Sequence, residues 1–114
     1  MKTAELTGRA LDWAVAEAEG LKTDTWHPKA IAVLFPGAPR FVPFSPSRDW
    51  GHGGPIIERE EIRLRPDKGW SAAKYWPDGR SEWLSGPTLL TAAMRCYVAS
   101  KLGLEVNVPP EVRT

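Results

Sequence analysis

Between Phe44 and Arg59 the chain reads Phe-Ser-Pro-Ser-Arg-Asp-Trp-Gly-His-Gly-Gly-Pro-Ile-Ile-Glu-Arg. Ser45, Ser47, Arg48 and Asp49 can hydrogen-bond a small polar or anionic molecule, and Trp50 beside them offers a flat apolar face on which a base or sugar can stack. Gly53 and Gly54 would let the main chain come close to such a guest. Pro55 suits the first position of a following helix, whose free N–H groups attract anions. Trp26, in a separate polar stretch, is a second candidate stacking surface. The same residue types also serve plain structure, since Ser, Asp and Gly are ordinary capping and turn residues and Trp50 could plug a core.

Other chemistries find less support. His27 and His52 are the two histidines, and neither stands in a metal-binding spacing such as HExxH. Asp49, His52 and Glu58 could form a carboxylate–histidine site, but histidines among prolines and glycines suit loops, so no metal is expected. Ser45, Ser47 and Ser85 lack a nucleophile elbow, and no phosphate-binding or dinucleotide glycine fingerprint occurs. Glu58, Glu60 and Glu61 lie near Arg59, Arg63 and Arg65 and read as a solvated helix face. The expectation is a non-enzymatic protein with no cofactor. A second candidate surface runs from Arg63 and Arg65 through Lys68, Trp70, Lys74, Tyr75, Trp76 and Arg80 to Trp83. Interleaved cations and rings of this kind hold single-stranded nucleic acid or a protein partner.

Composition limits the choices. At 114 residues, with 25% charged and 42% hydrophobic residues, the chain has the make-up of one globular domain over 1–114. A formal charge of +1 gives no global pull toward nucleic acid or membrane. The lone Cys96 excludes an intrachain disulfide and falls in an apolar helical pattern, as a buried thiol in a reducing compartment would. No apolar run reaches membrane-spanning length and the first residues lack a signal-peptide core, so a cytoplasmic location is expected. Six tryptophans are too many for a small core to bury completely, so several either line a pocket or interface or pave the faces of a small sheet.

The elements that must position these residues follow from periodicity. Leu6 to Glu19 repeats apolar residues at helical spacing and stops at Gly20, with Arg9 and Asp12 assigned to its outer face. Leu21 to Pro28 reads as a polar connection. Lys29 to Leu34 is a strand, Arg40 to Phe44 an extended edge limited by Pro43, and Pro55 to Glu61 a short helix with Ile56 and Ile57 turned inward. Ile62 to Arg65 alternates as a half-exposed strand, and Lys68–Trp76 and Arg80–Leu84 flank the hairpin turn Pro77-Asp78-Gly79. Thr88 to Leu102 is the clearest helix, with Leu90, Ala93, Met94, Tyr97, Val98 and Leu102 as its buried stripe and Gly103 as its stop. Its Arg95 can pair with Asp12, Glu17 or Glu19. Residues 104–114 form an extended tail that wraps an edge or frays. The sum is an α+β fold, a small antiparallel sheet of about four strands packed by three helices.

Three blocks carry a family resemblance. Leu6-Thr7-Gly8 with Leu11-Asp12-Trp13-Ala14-Val15-Ala16, Phe44 to Trp50 with Gly53-Gly54-Pro55-Ile56-Ile57, and Gly86-Pro87-Thr88 with Ala92 to Val98 together resemble the NinX-like family of phage and prophage proteins, a family of unknown function. Where that family has an aromatic followed by Ser-Pro-Ser-Thr-Asp-Trp, this chain has Phe44 as the aromatic and Arg48 in place of the Thr. The resemblance spans Leu6 to about Val108 and implies a phage origin and an α/β/α-sandwich type of fold, with no activity attached. By analogy with small phage proteins that sequester nucleotide-derived immune signals, it implies a small nucleotide-like ligand and a homo-oligomer. Binding of protein or single-stranded nucleic acid on the Trp/Arg hairpin face is the alternative.

Overall fold

The computed structural model describes residues 1–75 and 82–113, so the turn Pro77-Asp78-Gly79, together with Trp76 and Arg80, lies outside the described residues. Among the described residues, three α-helices and two three-stranded antiparallel sheets make up an α+β fold. Helix α1 (Gly8–Ala18) buries Leu11, Ala14 and Val15, and it ends as its sequence predicts. Gly20, at φ +73°, donates to Glu17 O, and the Leu21 N–H reaches back to Ala16 O, closing the last turn on two of its orphan carbonyls.

The first sheet has the order β1 (Lys22–Asp24), β2 (Ile31–Leu34), β3 (Val42–Phe44). Strand β1 corrects the reading of 21–28 as a plain connection. Its residues are polar and partly exposed, and pairing with β2 makes it a strand without any apolar alternation of its own. Pro43 sits on the edge strand, opposite Ala32, where a missing ladder N–H does least harm. The second sheet joins β4 (Arg63–Pro66), β5 (Trp70–Ala73) and β6 (Leu84–Gly86) in that order.

The about four strands expected in one sheet are thus six in two. Helix α2 (Trp50–Glu60) separates β3 from β4 along the chain. Helix α1 packs on the first sheet, helix α3 (Leu89–Leu102) packs on the second, and the two helices pack on each other. Leu6, Leu11, Ile31, Val33, Met94, Tyr97 and Val98 fill the shared core. Leu102, assigned to the buried stripe of α3, is exposed at its last turn. Cys96 is buried in the same core, which pushes its thiol up to about 11.

Two arginines clamp backbone from different elements. Arg9, which the helical period put outside, is buried and donates to Glu111 O and Thr25 O, both at 2.7 Å. Arg95 donates to Leu6 O at 2.7 Å and Ser85 O at 2.8 Å, and to none of the three acids suggested for it. The tail docks: Lys2 bridges Glu105, Thr3 N–H donates to Leu104 O, Val106 N–H donates to Met1 O, and Val106, Val108 and Val112 are buried. Glu60, expected on a solvated face, is a hub that accepts from Lys74 at 2.6 Å and Arg59 at 2.9 Å. The Lys74 hydrogen bond, aided by Arg59 and opposed by burial, holds its carboxyl at about 2. Arg59 also donates to Glu19, to which the Tyr97 hydroxyl donates in turn, tying α1, α2 and α3 together.

Helix α2 begins five residues earlier than its sequence suggests. Gly51, Gly53, Gly54 and Pro55 lie inside it, although glycine costs roughly 1 kcal/mol and proline about 3 kcal/mol in a helix interior. Two features offset this. The Asp49 carboxylate caps the first turn by accepting from the Gly51 N–H at 2.8 Å. At Gly53 the missing side chain is required, because a Cβ there would sit 2.5 Å from Pro46 O and 2.8 Å from Leu90 Cδ2. Gly53→Ala is therefore expected to destabilise the fold by about 1–3 kcal/mol. Gly54→Ala, whose Cβ would meet only Trp50 Cε3 at 3.6 Å, should stabilise it by up to ~1 kcal/mol. Thermal melts of the two variants check the contrast, and equal shifts would contradict it.

Candidate functional site

Residues 45–49 connect β3 to α2 as a turn in which the Arg48 and Asp49 N–H groups both donate to Ser45 O. The Ser45 N–H donates to His52 Nδ1 at 2.9 Å, a contact that assigns the neutral ring's proton to Nε2. The same ring lies tilted over Phe44, centroids 5.4 Å apart. Beneath the turn stands Asp12 of α1, fully buried, its Oδ1 accepting the Ser47 N–H at 2.9 Å. Burial raises the Asp12 carboxyl above its ordinary range, outweighing the opposing pull of Ser47, Arg48 and His52. Asp12 Oδ2 and the Ser47 hydroxyl are enclosed without a well-formed hydrogen bond, although the hydroxyl is near enough to favour the carboxylate.

Above the turn lies a cleft of about 320 Å³, walled by Ser47, Arg48 and Trp50 on one side and Thr88, Leu89 and Leu90 on the other. The second wall is the first turn of α3. Thr88 caps it, accepting the Thr91 N–H at 3.1 Å, whereas the N–H groups of Leu89 and Leu90 fall where a helix supplies no acceptor. The α3 dipole places its positive end there, in the same cleft as Arg48. Trp50 is 57% exposed. The cleft thus offers positive charge and backbone donors next to a bare indole face, and its volume is at the small end of ligand sites.

The structure brings together three of the eight residues singled out by sequence: Ser47, Arg48 and Trp50. Ser45 instead faces its own turn, its hydroxyl 3.5 Å from Arg48 Nη2. The Asp49 carboxylate occupies the start of α2, where an anion had been expected, and so satisfies that helix end internally. Gly53 and Gly54 do not precede the helix but belong to it: the Gly53 N–H donates to Asp49 O, and the residue serves close packing. Trp26 lies in a different, more apolar cleft of about 220 Å³ with His27, Ala32, Phe41 and Pro43. Among the described residues, no group of three or more His, Cys, Asp or Glu side chains is placed to hold a metal, and no helix is long and apolar enough to cross a membrane.

Sequence reasoning missed Asp12, Thr88, Leu89 and Leu90. The Pro87-Thr88 helix start was a usable signal, because any long helix opens on unpaired donors. Asp12 gave none, since α1 is covered on more than one side and its period does not mark the buried polar position.

Because Asp12 is raised in the folded state, the unfolded chain loses that proton first as pH increases. Its contribution to stability therefore falls as pH rises from about 4 through the folded-state value, then levels off. Asp12→Asn is expected to remove this fall, read as the wild-type-minus-variant difference in urea unfolding between about pH 4 and pH 7. A difference independent of pH would contradict the burial account. Trp50→Ala is expected to cost well under the ~3–5 kcal/mol of a core tryptophan, by the same unfolding measurement.

No curated protein matches the chain. The family model for bacteriophage P22 NinX matches residues 2–101, a span that holds the Phe44–Trp50 turn, α2 and nearly all of α3. The chain belongs to the bacteriophage P22 NinX family.

Proposed function

We propose that this phage protein is a non-enzymatic binder that captures a small polar, nucleotide-derived ligand in the cleft between the Arg48–Trp50 turn and the start of α3, and in doing so sequesters a host immune signal. One observation carries the reading: Arg48, the exposed Trp50 and the first-turn residues Leu89 and Leu90 of α3 border the same cleft. A phosphate would sit against Arg48 and the Leu89 and Leu90 N–H groups, where charge-assisted hydrogen bonds and the helix dipole act together. A base would lie on Trp50, gaining stacking and apolar contact. Ser47 closes the floor of the cleft, its hydroxyl enclosed beside Asp12 and turned away from the ligand. Catalysis has no support of this kind, since the histidine nearest the cleft is already held by the Ser45 N–H and Phe44.

Thermal-shift and calorimetric titrations with cyclic dinucleotides and ADP-ribose derivatives test the proposal. A ligand present at a hundred times its Kd should stabilise the protein by about 2.7 kcal/mol, and chromatography should recover it unchanged. Arg48→Ala and Trp50→Ala should each weaken binding while leaving the fold intact. A flat response across these ligands would end the proposal, and conversion of the ligand would replace binding with catalysis.

A further inference from the structure

The outer face of the second sheet carries a cluster that the cleft does not use. Residues of alternating strand positions share a face, so Arg63 and Arg65 stand side by side along β4. Both reach over rings that extend the face. The Arg63 guanidinium lies 4.4 Å from the Tyr75 centroid and 5.5 Å from that of Trp83, and Arg65 lies 3.9 Å from Trp83. Tyr75 is 67% exposed and Trp83 36% exposed. Each strand pair helps hold the cluster: β4 pairs with β5 in front of Tyr75, and β6 follows Trp83.

We infer that this face binds single-stranded nucleic acid. A guanidinium stacked on a ring has lost most of its rotational freedom yet keeps its in-plane N–H fork for a phosphate. Two such forks, about 7 Å apart along one strand face, present successive cation positions to one extended backbone. Tyr75, covered by Arg63 on one side, is exposed enough to offer its other side to a base. Among the described residues no carboxylate forms an ion pair with Arg63 or Arg65. A groove of about 390 Å³ adjoins Trp83, with Leu84 and Leu104 in its wall and Glu82 and Glu105 at its sides. Lys2 is also in that lining and Glu105 lies 3.8 Å from the N-terminal ammonium, so the groove is of mixed charge and the phosphates belong over the arginines of β4. The near-neutral net charge of +1 predicts modest affinity and leaves the local cluster responsible for it.

The test is fluorescence anisotropy with a labelled oligothymidylate of about twelve nucleotides, at several salt concentrations. Binding should weaken with salt with a log–log slope of about −1.4, two phosphates at ~0.7 each. The double variant Arg63→Ala, Arg65→Ala should bring that slope close to zero, and Tyr75→Leu should weaken binding about five-fold or more at unchanged slope. Both variants should still melt cooperatively, the double variant somewhat below the wild type for the cation–π contacts it loses. The inference is overturned by absence of binding at low salt, by variants that bind as the wild type does, or by polyglutamate competing as well as unlabelled oligothymidylate. Arg48→Ala should leave this binding unchanged, which separates its outcome from that of the cleft.

Discussion

The arrangement depends on one buried hydrogen bond, from the Ser47 N–H to Asp12 Oδ1. A carboxyl group taken wholly out of water is costly unless it is paired or protonated. Here its nearest partner is a main-chain donor of the turn above it, so the cheapest state of the carboxyl is one that keeps the turn seated. With Ser47 tied down, Arg48 is the next residue along and Asp49 the one after, and both are left at the surface. Asp49 then starts α2 by capping it, and Trp50 emerges at its first position beside the cleft. One contact between α1 and a turn thus places the cation and the ring.

Close packing sets the other wall. Gly53 lets α2 approach Pro46 and Leu90 at distances that no side chain could tolerate, which brings the start of α3 next to the Arg48 turn. A larger residue would push the two helices apart and open or skew the cleft. The glycines that make α2 look improbable as a helix are, at this position, the reason it can pack where it does. The cap at Asp49 and the hub at Glu60 secure its two ends, through main-chain donors at one and through Lys74 and Arg59 at the other.

Much of the fold was legible because its signals are local. Helix α3 showed its Pro87-Thr88 start, its apolar stripe and its Gly103 stop, and β2 and β4 showed β-rich or alternating runs. Strand β1 was invisible, as its identity comes from pairing and not from its own side chains. The early start of α2 was hidden because propensity argues against four Gly and Pro residues in six, while the compensation is tertiary. The site was half legible. Arg48 and Trp50 stood out by type, and Ser47 by its neighbours. The facing wall and Asp12 beneath required knowing that residues 12, 47 and 88 meet in space. Asp49 and Gly53 were noticed for chemistry that geometry assigns to capping and packing.

Two surfaces of different character follow from this plan: a small cleft between helices with a positive rim, and an open sheet face where arginines lie on rings. Both rest on turns and strands whose backbones are fixed elsewhere, the first by Asp12 and the second by the β4–β5–β6 ladder. The claim that a buried carboxyl holds the turn is most directly tested by amide hydrogen exchange of Ser47 followed by NMR. Seated on Asp12, that amide should exchange as slowly as the core amides of α1. Exchange at the rate of an open loop would show that the turn is free, and the cleft above it would then lack its floor.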